Sequence, residues 1–441
     1  MIQKILLTIT IISLHACASL SQTDSSENVE EFELQFKDGK FIRTERFKNS
    51  GGIRAKGEVK AECGGAKCTP AQAEKFAPAK IKSLVKHGAW EEYLQFEQEG
   101  STPENKKFKS ILDSYGEFLD GKKVGIWKKP DPDSPNRTLA EVPWVDGKKE
   151  GVAKSYDKSG NLISETEFSD DKRNGRYWKK TTKGEWLEKG TYKDNEEEGE
   201  WTFYFTGIDG NGVKTVVSFQ KGQKQGSETN YYKDGKIESQ GNYQNGARSG
   251  QWKLYGGLGN LLAEGPYSAK EGVSADAEIK HERTGIWKEY YANGALFGTG
   301  QRKHTRTGNW KFYYNNGQVA YDGIMANESM FESAKIFDRE GKILGDGKLF
   351  FSLIKIDETS GDLKLNYKPS IPFIYFYPSG KKRMVIRDKD DATEFSENGK
   401  ELGKGPVDPS GRKMGCWIIE GKKEYYMLDA PKPKLTATQC Q

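Results

Sequence analysis

The 441-residue sequence has few histidines, few cysteines and almost no long hydrophobic run. Hydrophobic residues make up 34% of the chain and charged residues 30%, and the longest apolar stretch, Ile5–Leu14, is too short to span a bilayer. This argues against several transmembrane helices, and against a large α/β enzyme with thick aliphatic layers. The aromatic content of 12% argues against a disordered chain, so the aromatics and the 50 glycines together indicate short strands joined by turns.

The sequence also lacks the short motifs that usually mark a catalytic site. There is no phosphate-binding loop, no dinucleotide-binding glycine pattern between a strand and a helix, and no zinc-protease histidine pair. We therefore predict no catalytic residue, no metal site and no cofactor, and a protein that is not an enzyme. Because acidic residues are numerous, a glycan-acting envelope enzyme remains an alternative, and it would need a pocket that holds two close carboxyl groups.

The amino terminus has the pattern of an exported chain. A single lysine precedes the apolar segment, which ends in Leu14-His15-Ala16-Cys17. This ending resembles a bacterial lipoprotein signal, and the resemblance implies acylation of Cys17 and, because Ala18 follows, sorting to the outer membrane. We expect residues 1–16 to be the signal peptide and residues 17–30 a polar tether. The lipid would then anchor the protein to the outer membrane, on its periplasmic side or at the cell surface.

Four further cysteines remain once Cys17 is set aside. An even number of cysteines in an exported chain indicates disulfides. Proximity in sequence favours Cys63–Cys68 and Cys416–Cys440 over the crossed pairings.

A three-residue pattern recurs through the middle of the chain. It consists of a glycine, then any residue, then a tryptophan or a residue that replaces it. The spacing is mostly close to 24 residues, with insertions in two repeats. Ala153 and Glu228 stand in the tryptophan position of two repeats, and in the repeat at Gly175 the tryptophan is shifted by one residue. The repeat glycines are Gly88, Gly125, Gly151, Gly175, Gly199, Gly226, Gly250, Gly285 and Gly308.

One repeat shows the pattern in full: Gly285-Ile-Trp-Lys-Glu-Tyr-Tyr-Ala-Asn-Gly294. An aromatic-rich strand, an Asn-Gly turn and a second short strand predict a β-hairpin. This pattern resembles the MORN family in its bacterial variant form. The resemblance implies an all-β fold, an elongated antiparallel sheet of stacked hairpin repeats of about 24 residues, over residues 85–345.

Strand alternation divides the residues of each hairpin between two faces. With tryptophan as position one, positions one and five share a face and position four points to the other. Position four is a tyrosine in seven repeats, and we call these residues the tyrosine ladder. The ladder is either an aromatic binding stripe or, as is commoner for aromatics at a fixed repeat position, packing between repeats. Its members are Tyr93, Tyr156, Tyr204, Tyr231, Tyr255, Tyr290 and Tyr313.

Residues 31–84 are predicted to form an N-terminal cap. Aromatic and aliphatic residues on both sides of a Lys-Asp-Gly-Lys turn predict a hairpin over residues 32–47. Thr69-Pro70-Ala71-Gln72 resembles a helix N-cap, so we predict one short helix near residues 70–87.

The C-terminal residues 346–441 are also predicted to be rich in strands. Phe395–Gly405 copies the pattern of Phe337–Gly347. We therefore interpret this part as a degenerate continuation of the repeats, or a C-terminal cap, and not as a separate enzyme domain.

Basic residues recur in the turns between repeats, where they could form a cationic edge for phosphates or acidic glycans, although charged turns often simply stay solvated. They are Lys122, Lys123, Lys148, Lys149, Lys172, Arg173, Lys221, Lys224, Arg302, Lys303 and Arg306.

These features together favour a non-enzymatic scaffold of the cell envelope that binds a protein, a glycan or an envelope component. Self-assembly through exposed sheet edges, which would give a homo-oligomer, is the second interpretation. The net charge of +5 is too small for the chain length to indicate a nucleic-acid partner.

Overall fold

The computed structural model describes thirteen segments of the chain. They are residues 29–37, 40–47, 50–63, 66–67, 83–97, 108–207, 212–269, 281–350, 355–356, 360–365, 368–408, 411–427 and 430–431. The predicted signal peptide, almost all of the tether, Cys17, Cys68 and Cys440 lie outside these ranges.

The chain divides into two compact units. The first contains residues 1–178 and 182–184, and the second contains residues 179–181 and 185–441. Between residues 29 and 169, and again between residues 186 and 431, the strands pair antiparallel with their neighbours in chain order, apart from short strands that the pairing skips. Each unit is thus an antiparallel meander, and the prediction of an all-β fold built from stacked hairpins is confirmed.

The first unit contains the first twelve strands, the last of which ends just beyond the unit boundary. They are β1 (Val29–Lys37), β2 (Lys40–Phe47), β3 (Ile53–Cys63), β4 (Ala66–Lys67), β5 (Ser83–Glu97), β6 (Phe108–Leu119), β7 (Lys122–Asp131), β8 (Ser134–Val145), β9 (Lys148–Lys149), β10 (Gly151–Tyr156), β11 (Leu162–Ser169) and β12 (Lys172–Lys180).

The second unit contains the remaining strands. They are β13 (Trp186–Lys193), β14 (Glu196–Tyr204), β15 (Val213–Gln220), β16 (Gln223–Tyr231), β17 (Ile237–Gln244), β18 (Ala247–Tyr255), β19 (Leu261–Ala269), β20 (His281–Tyr290), β21 (Leu296–Lys303), β22 (Thr305–Tyr313), β23 (Val319–Asn327), β24 (Met330–Phe337), β25 (Ile343–Phe350), β26 (Lys355–Ile356), β27 (Leu363–Lys364), β28 (Lys368–Phe376), β29 (Lys382–Ile386), β30 (Ala392–Phe395), β31 (Glu401–Gly405), β32 (Met414–Ile419), β33 (Lys422–Met427) and β34 (Ala430–Pro431). Strands β26 and β27 form a separate hairpin.

Two kinds of turn alternate along the repeats. Between repeats, two consecutive residues have positive φ, as in Asp120 (49°) and Gly121 (84°), which is the two-residue type I′ hairpin turn. Within a repeat the loop is one residue longer, and only its glycine is left-handed, as at Gly294 with φ 89°. There the Tyr291 amide donates to the Ala295 carbonyl at 2.8 Å. Asp-Gly and Asn-Gly pairs occur in both kinds of turn, since Asn245-Gly246 lies between repeats and Asp234-Gly235 lies within one.

The core lies on the face of the strands that carries the repeat tryptophans. In the first unit Trp90 and Trp127 pack with Phe118, whose ring lies edge-on to both at 5.7 and 5.2 Å between centroids. In the second unit one large cluster runs from Tyr243 to Phe373. A smaller cluster surrounds Trp417.

The predicted helix near residues 70–87 is wrong at its end. Ser83–His87 belong to strand β5, which pairs with β3 and β6, because Trp90 needs a strand register to reach its partner in β3. Residues 68–82 lie outside the described ranges. The described residues contain no helix, and thus none that is long and apolar enough to cross a membrane.

Candidate functional site

Seven tryptophans are packed against a glycine of the preceding strand, and each is at most 3% exposed. A Cβ atom added to any of these glycines would lie only 2.2–2.6 Å from the indole ring. Glycine is therefore required here by close approach and not by backbone conformation. The pairs are Gly57–Trp90, Gly116–Trp127, Gly190–Trp201, Gly241–Trp252, Gly265–Trp287, Gly300–Trp310 and Gly405–Trp417.

The same tryptophans share one hydrogen bond. Each indole Nε1–H donates to the backbone carbonyl of the residue that follows the partner glycine, at 2.6–3.1 Å. The buried polar atom of the indole is thereby satisfied at every site. We call a repeat with this tryptophan–glycine pair a closed repeat, and the strand surface that carries the pairs the Trp face.

A basic side chain lies on six of these seven indoles. It comes from four residues before the tryptophan, and its charged group is 3.7–5.3 Å from the ring centroid, within cation–π range. At Trp201 the position four residues earlier is held by Glu197. We call these residues the cation row: Lys86, Lys123, Arg248, Arg283, Arg306 and Lys413.

Four members of the cation row also contact a carboxylate. The pairs are Lys86–Glu45 at 4.0 Å, Lys123–Glu92 at 2.7 Å, Arg306–Glu289 at 2.6 Å and Lys413–Glu394 at 2.5 Å. Arg248 and Arg283 differ, because no carboxylate of the described residues lies within 4.0 Å of either guanidinium.

One of these carboxylates, Glu289, belongs to a larger charge network. It also binds Arg302 at 2.5 Å, and both arginines reach Glu328. Burial alone would raise the pKa of Glu289, but Arg306 and Arg302 outweigh burial and hold this pKa below its ordinary value. Glu289 is therefore an ionised member of a charge network.

The basic turn residues predicted to form a cationic edge divide into two groups. Lys122 and Lys148 pair with an aspartate of the next turn, Asp146 and Asp170, both at 2.6 Å. Lys123 belongs to the cation row instead. Lysines and aspartates of successive turns therefore pair with each other, and these turns do not form a purely cationic edge.

All seven residues of the tyrosine ladder are half-buried, on the face opposite the tryptophans. Ile126 and Ile286, which precede their tryptophans and share the ladder's face, are each 56% exposed. Each ladder tyrosine directly follows a register shift, where the returning strand has one extra residue. Such bulges bend the strand locally and re-aim a side chain.

Three ladder hydroxyls donate to carboxylates, namely Tyr93 to Glu91 (2.8 Å), Tyr156 to Glu141 (2.9 Å) and Tyr290 to Glu264 (2.7 Å). Burial, followed by the hydrogen bond to the carboxylate, raises the pKa of Tyr93 and of Tyr290 to about 12. These three ladder phenols are therefore neutral donors whose hydroxyls are already engaged.

Position five also supplies contacts from repeat to repeat, which the sequence analysis did not single out. The hydroxyls of Tyr232, Tyr291 and Tyr314 donate to the backbone carbonyls of Tyr255, Tyr313 and Phe337 in the following repeat, at 2.6–2.8 Å. In the sequence, the Tyr-Tyr doublets at positions four and five were the signal that could have predicted these contacts.

One repeat of the second unit lacks the tryptophan–glycine pair. Glu228, only 3% exposed, takes the tryptophan position, and Val217 faces it in place of glycine. The Glu228 carboxylate accepts from Lys224 and, at 2.8 Å, from the Asn230 amide. We call residues 226–249 the open repeat.

A cavity of about 570 Å³ lies at the open repeat, because no indole fills this part of the Trp face. Arg248, above Trp252 (4.2 Å) and Tyr267 (5.5 Å), and Arg283, whose Nε–H donates to the Tyr267 hydroxyl at 3.2 Å, are in its wall. The full lining is Lys224, Glu228, Asn230, Tyr232, Glu238, Ser239, Tyr243, Arg248, Leu254, Tyr255, Tyr267 and Arg283.

Comparison with known proteins identifies the repeats. The family described as MORN repeat variant matches residues 149–170, 224–245, 283–304 and 306–327. These four segments are thus similar to MORN repeats, and two of them, at Ala153 and Glu228, lack the tryptophan. No curated protein matches the chain.

The remaining predicted site residues stay predictions. Cys63 ends β3 and Cys416 lies in β32, whereas Cys17, Cys68 and Cys440 lie outside the described ranges. Within the described part of the chain, no group of three or more histidine, cysteine or acidic side chains is placed to hold a metal ion.

Proposed function

We propose that this protein is a non-enzymatic binding scaffold, anchored to the bacterial outer membrane through lipid on Cys17. The observation that carries the proposal is the break in the repeat rule at Glu228, which leaves a polar cavity on the Trp face. An array with a purely structural role would gain from an indole there, since a filled site is more stable than an open one.

The ion pair and the hydrogen bond of the buried carboxylate in the cavity support binding without catalysis. Its buried carboxylate, Glu228, is engaged by Lys224 and Asn230. The second carboxylate, Glu238, is exposed. A glycosidase needs one acid held protonated beside a second carboxylate, and a lysine-paired glutamate does not provide it.

The anchor is tested by fractionation and metabolic labelling with a palmitate analogue. We expect the wild-type chain to be labelled and to sediment with outer membranes, and the Cys17→Ala chain to be unlabelled and absent from them. Labelling that survives in Cys17→Ala, or a wild-type chain that stays soluble, would contradict the anchor.

The binding role is tested by photo-crosslinking in cells. A benzoyl-phenylalanine at position 232, in the cavity wall, is compared in the wild-type background and in the double variant Val217→Gly, Glu228→Trp, which restores the missing pair. We expect an adduct that forms only with the open cavity. No adduct, or an equal adduct in both backgrounds, would contradict a scaffold that binds through this site.

A further inference from the structure

The cavity at the open repeat contains an unusual pair of arginines. At Lys86, Lys123, Arg306 and Lys413 the cation row carries its own carboxylate. Arg248 and Arg283 keep the stacked position without one among the described residues.

Both arginines converge on one phenol. Arg248 lies over the Trp252 and Tyr267 rings at 4.2 and 5.5 Å, while the Arg283 Nε–H donates to the Tyr267 hydroxyl at 3.2 Å. The three aromatic rings beneath them pack edge to face, with Trp252–Tyr267 and Tyr267–Trp287 centroids at 5.9 and 5.3 Å. Such packing fixes the position of both guanidinium groups before a ligand arrives.

Guanidinium groups bind carboxylate and phosphate in forked, charge-assisted hydrogen bonds. The guanidinium groups of Arg248 and Arg283, which pair with no carboxylate of the described residues, together form a site for one oxyanion. The Lys224 ammonium is also in the cavity, but Glu228 neutralises it.

The rest of the lining favours a polyhydroxylated ligand over an acyl chain. Leu254 is the one aliphatic residue in the lining, beside the tyrosines, the Asn230 amide, the Ser239 hydroxyl and the exposed Glu238 carboxylate. Amide, hydroxyl and carboxylate groups pair with sugar hydroxyls, and a volume of about 570 Å³ is within the usual range for small-ligand sites.

We propose that this cavity binds an acidic sugar, with its carboxylate or phosphate on Arg248 and Arg283 and its hydroxyls toward Asn230 and Glu238. The proposal rests on the proposed function and names its ligand class. Uronic acids and sugar phosphates share this chemistry, and the experiment separates them.

The test is calorimetric titration of the full chain, purified in detergent, at low salt. The probes are digalacturonic acid, glucose 6-phosphate, a neutral disaccharide and inorganic phosphate. We expect one of the two acidic sugars to bind, and to bind at least about tenfold more tightly than the neutral sugar or phosphate. Phosphate binding as tight as that of the sugars, or equal binding of the neutral disaccharide, would overturn the proposal.

Arginine variants locate the site. Arg248→Gln and Arg283→Gln should each weaken binding about tenfold or more, because each removes a charge-assisted pair. Lys413→Gln is the matched control, since Lys413 has the same stacked position on Trp417 but already pairs with Glu394. Unchanged affinity in both arginine variants, or an equal loss in the control, would overturn the assignment.

Filling the cavity gives a second, independent readout. Val217→Gly with Glu228→Trp should abolish binding while the chain stays folded by circular dichroism. The control is Val142→Gly with Ala153→Trp, which builds a tryptophan pair in another repeat that lacks one and should leave the affinity unchanged. If no probe binds although the crosslink at position 232 still depends on the open cavity, the ligand class is wrong and the scaffold stands.

Discussion

The open repeat and the closed repeat at Gly285 have the same backbone and different interiors. Both have the register shift before the position-four tyrosine and a basic residue four positions before position one. In the closed repeat Trp287 fills the space above Gly265, whereas in the open repeat Glu228 and Val217 leave a polar cavity. Turns and pairing therefore build the hairpin, and the residues at one pair of positions decide whether its face is sealed.

The largest test of this comparison removes an indole from a closed repeat. Trp310→Ala should reduce the free energy of unfolding by about 3–5 kcal/mol, because Gly300 has no side chain with which to fill the void. Urea denaturation followed by circular dichroism measures the loss. Trp186→Ala is the control, since Trp186 is only half-buried and should cost clearly less. Equal losses would mean that the tryptophan–glycine pairs do not dominate the stability.

The next test concerns the buried carboxylate Glu289 of a closed repeat. Glu289→Gln should destabilise the protein by about 2–3 kcal/mol at pH 7, since Arg302 and Arg306 lose their buried partner. Because the folded-state pKa of Glu289 is lowered, its contribution is present above the ordinary glutamate pKa and is lost as the pH falls through the folded value.

Denaturation of both chains between pH 7 and pH 3 checks this dependence. We expect the difference between wild type and Glu289→Gln to shrink toward acidic pH. A difference that stays constant over this range would show that the loss comes from packing and not from ionisation.

A smaller effect tests the glycine side of the pair. Gly300→Ala should cost about 1–3 kcal/mol, because its Cβ would lie 2.4 Å from the Trp310 ring. Gly257→Ala is the control, as its Cβ would meet nothing within 4 Å, and it should be neutral or slightly stabilising. Thermal melts of the two variants measure the contrast, and a melting point for Gly300→Ala at or above wild type would contradict the close-contact argument.

The smallest effect on stability is expected at the tyrosine ladder, which open and closed repeats both have. Tyr290→Phe should cost about 0.5–1.5 kcal/mol through the lost hydrogen bond to Glu264. Since the folded pKa is raised from 10.0 to about 12, the contribution is complete below pH 10 and is lost as the pH rises toward 12. Absorbance titration of the phenolate checks the pKa, and a value near 10 for Tyr290 would rule out the raised pKa.

The sequence predicted the hairpins, the repeat phase and the separation of tryptophans from ladder tyrosines, because each depends on local turn chemistry or on alternation. The glycine partners could not be found that way. Gly241 reaches Trp252 only through a register that contains a shift, and alternation along one strand does not show such a shift. The cavity depends on two neighbouring repeats at once, so Glu228 alone indicated a departure and not a site.

The tryptophan–glycine pair also bears on how such an array can grow. Trp287 of one repeat uses Gly265 of the repeat before it, and Gly300 of the same repeat serves Trp310 of the repeat after it. A gene duplication that inserts a whole repeat in phase therefore supplies one tryptophan and one partner glycine, and no tryptophan–glycine pair is broken. A recombination out of phase would place an indole against a side chain. Opening a repeat instead takes substitutions in two adjacent copies, as at Val217 and Glu228, so a specialised copy is inherited together with its neighbour.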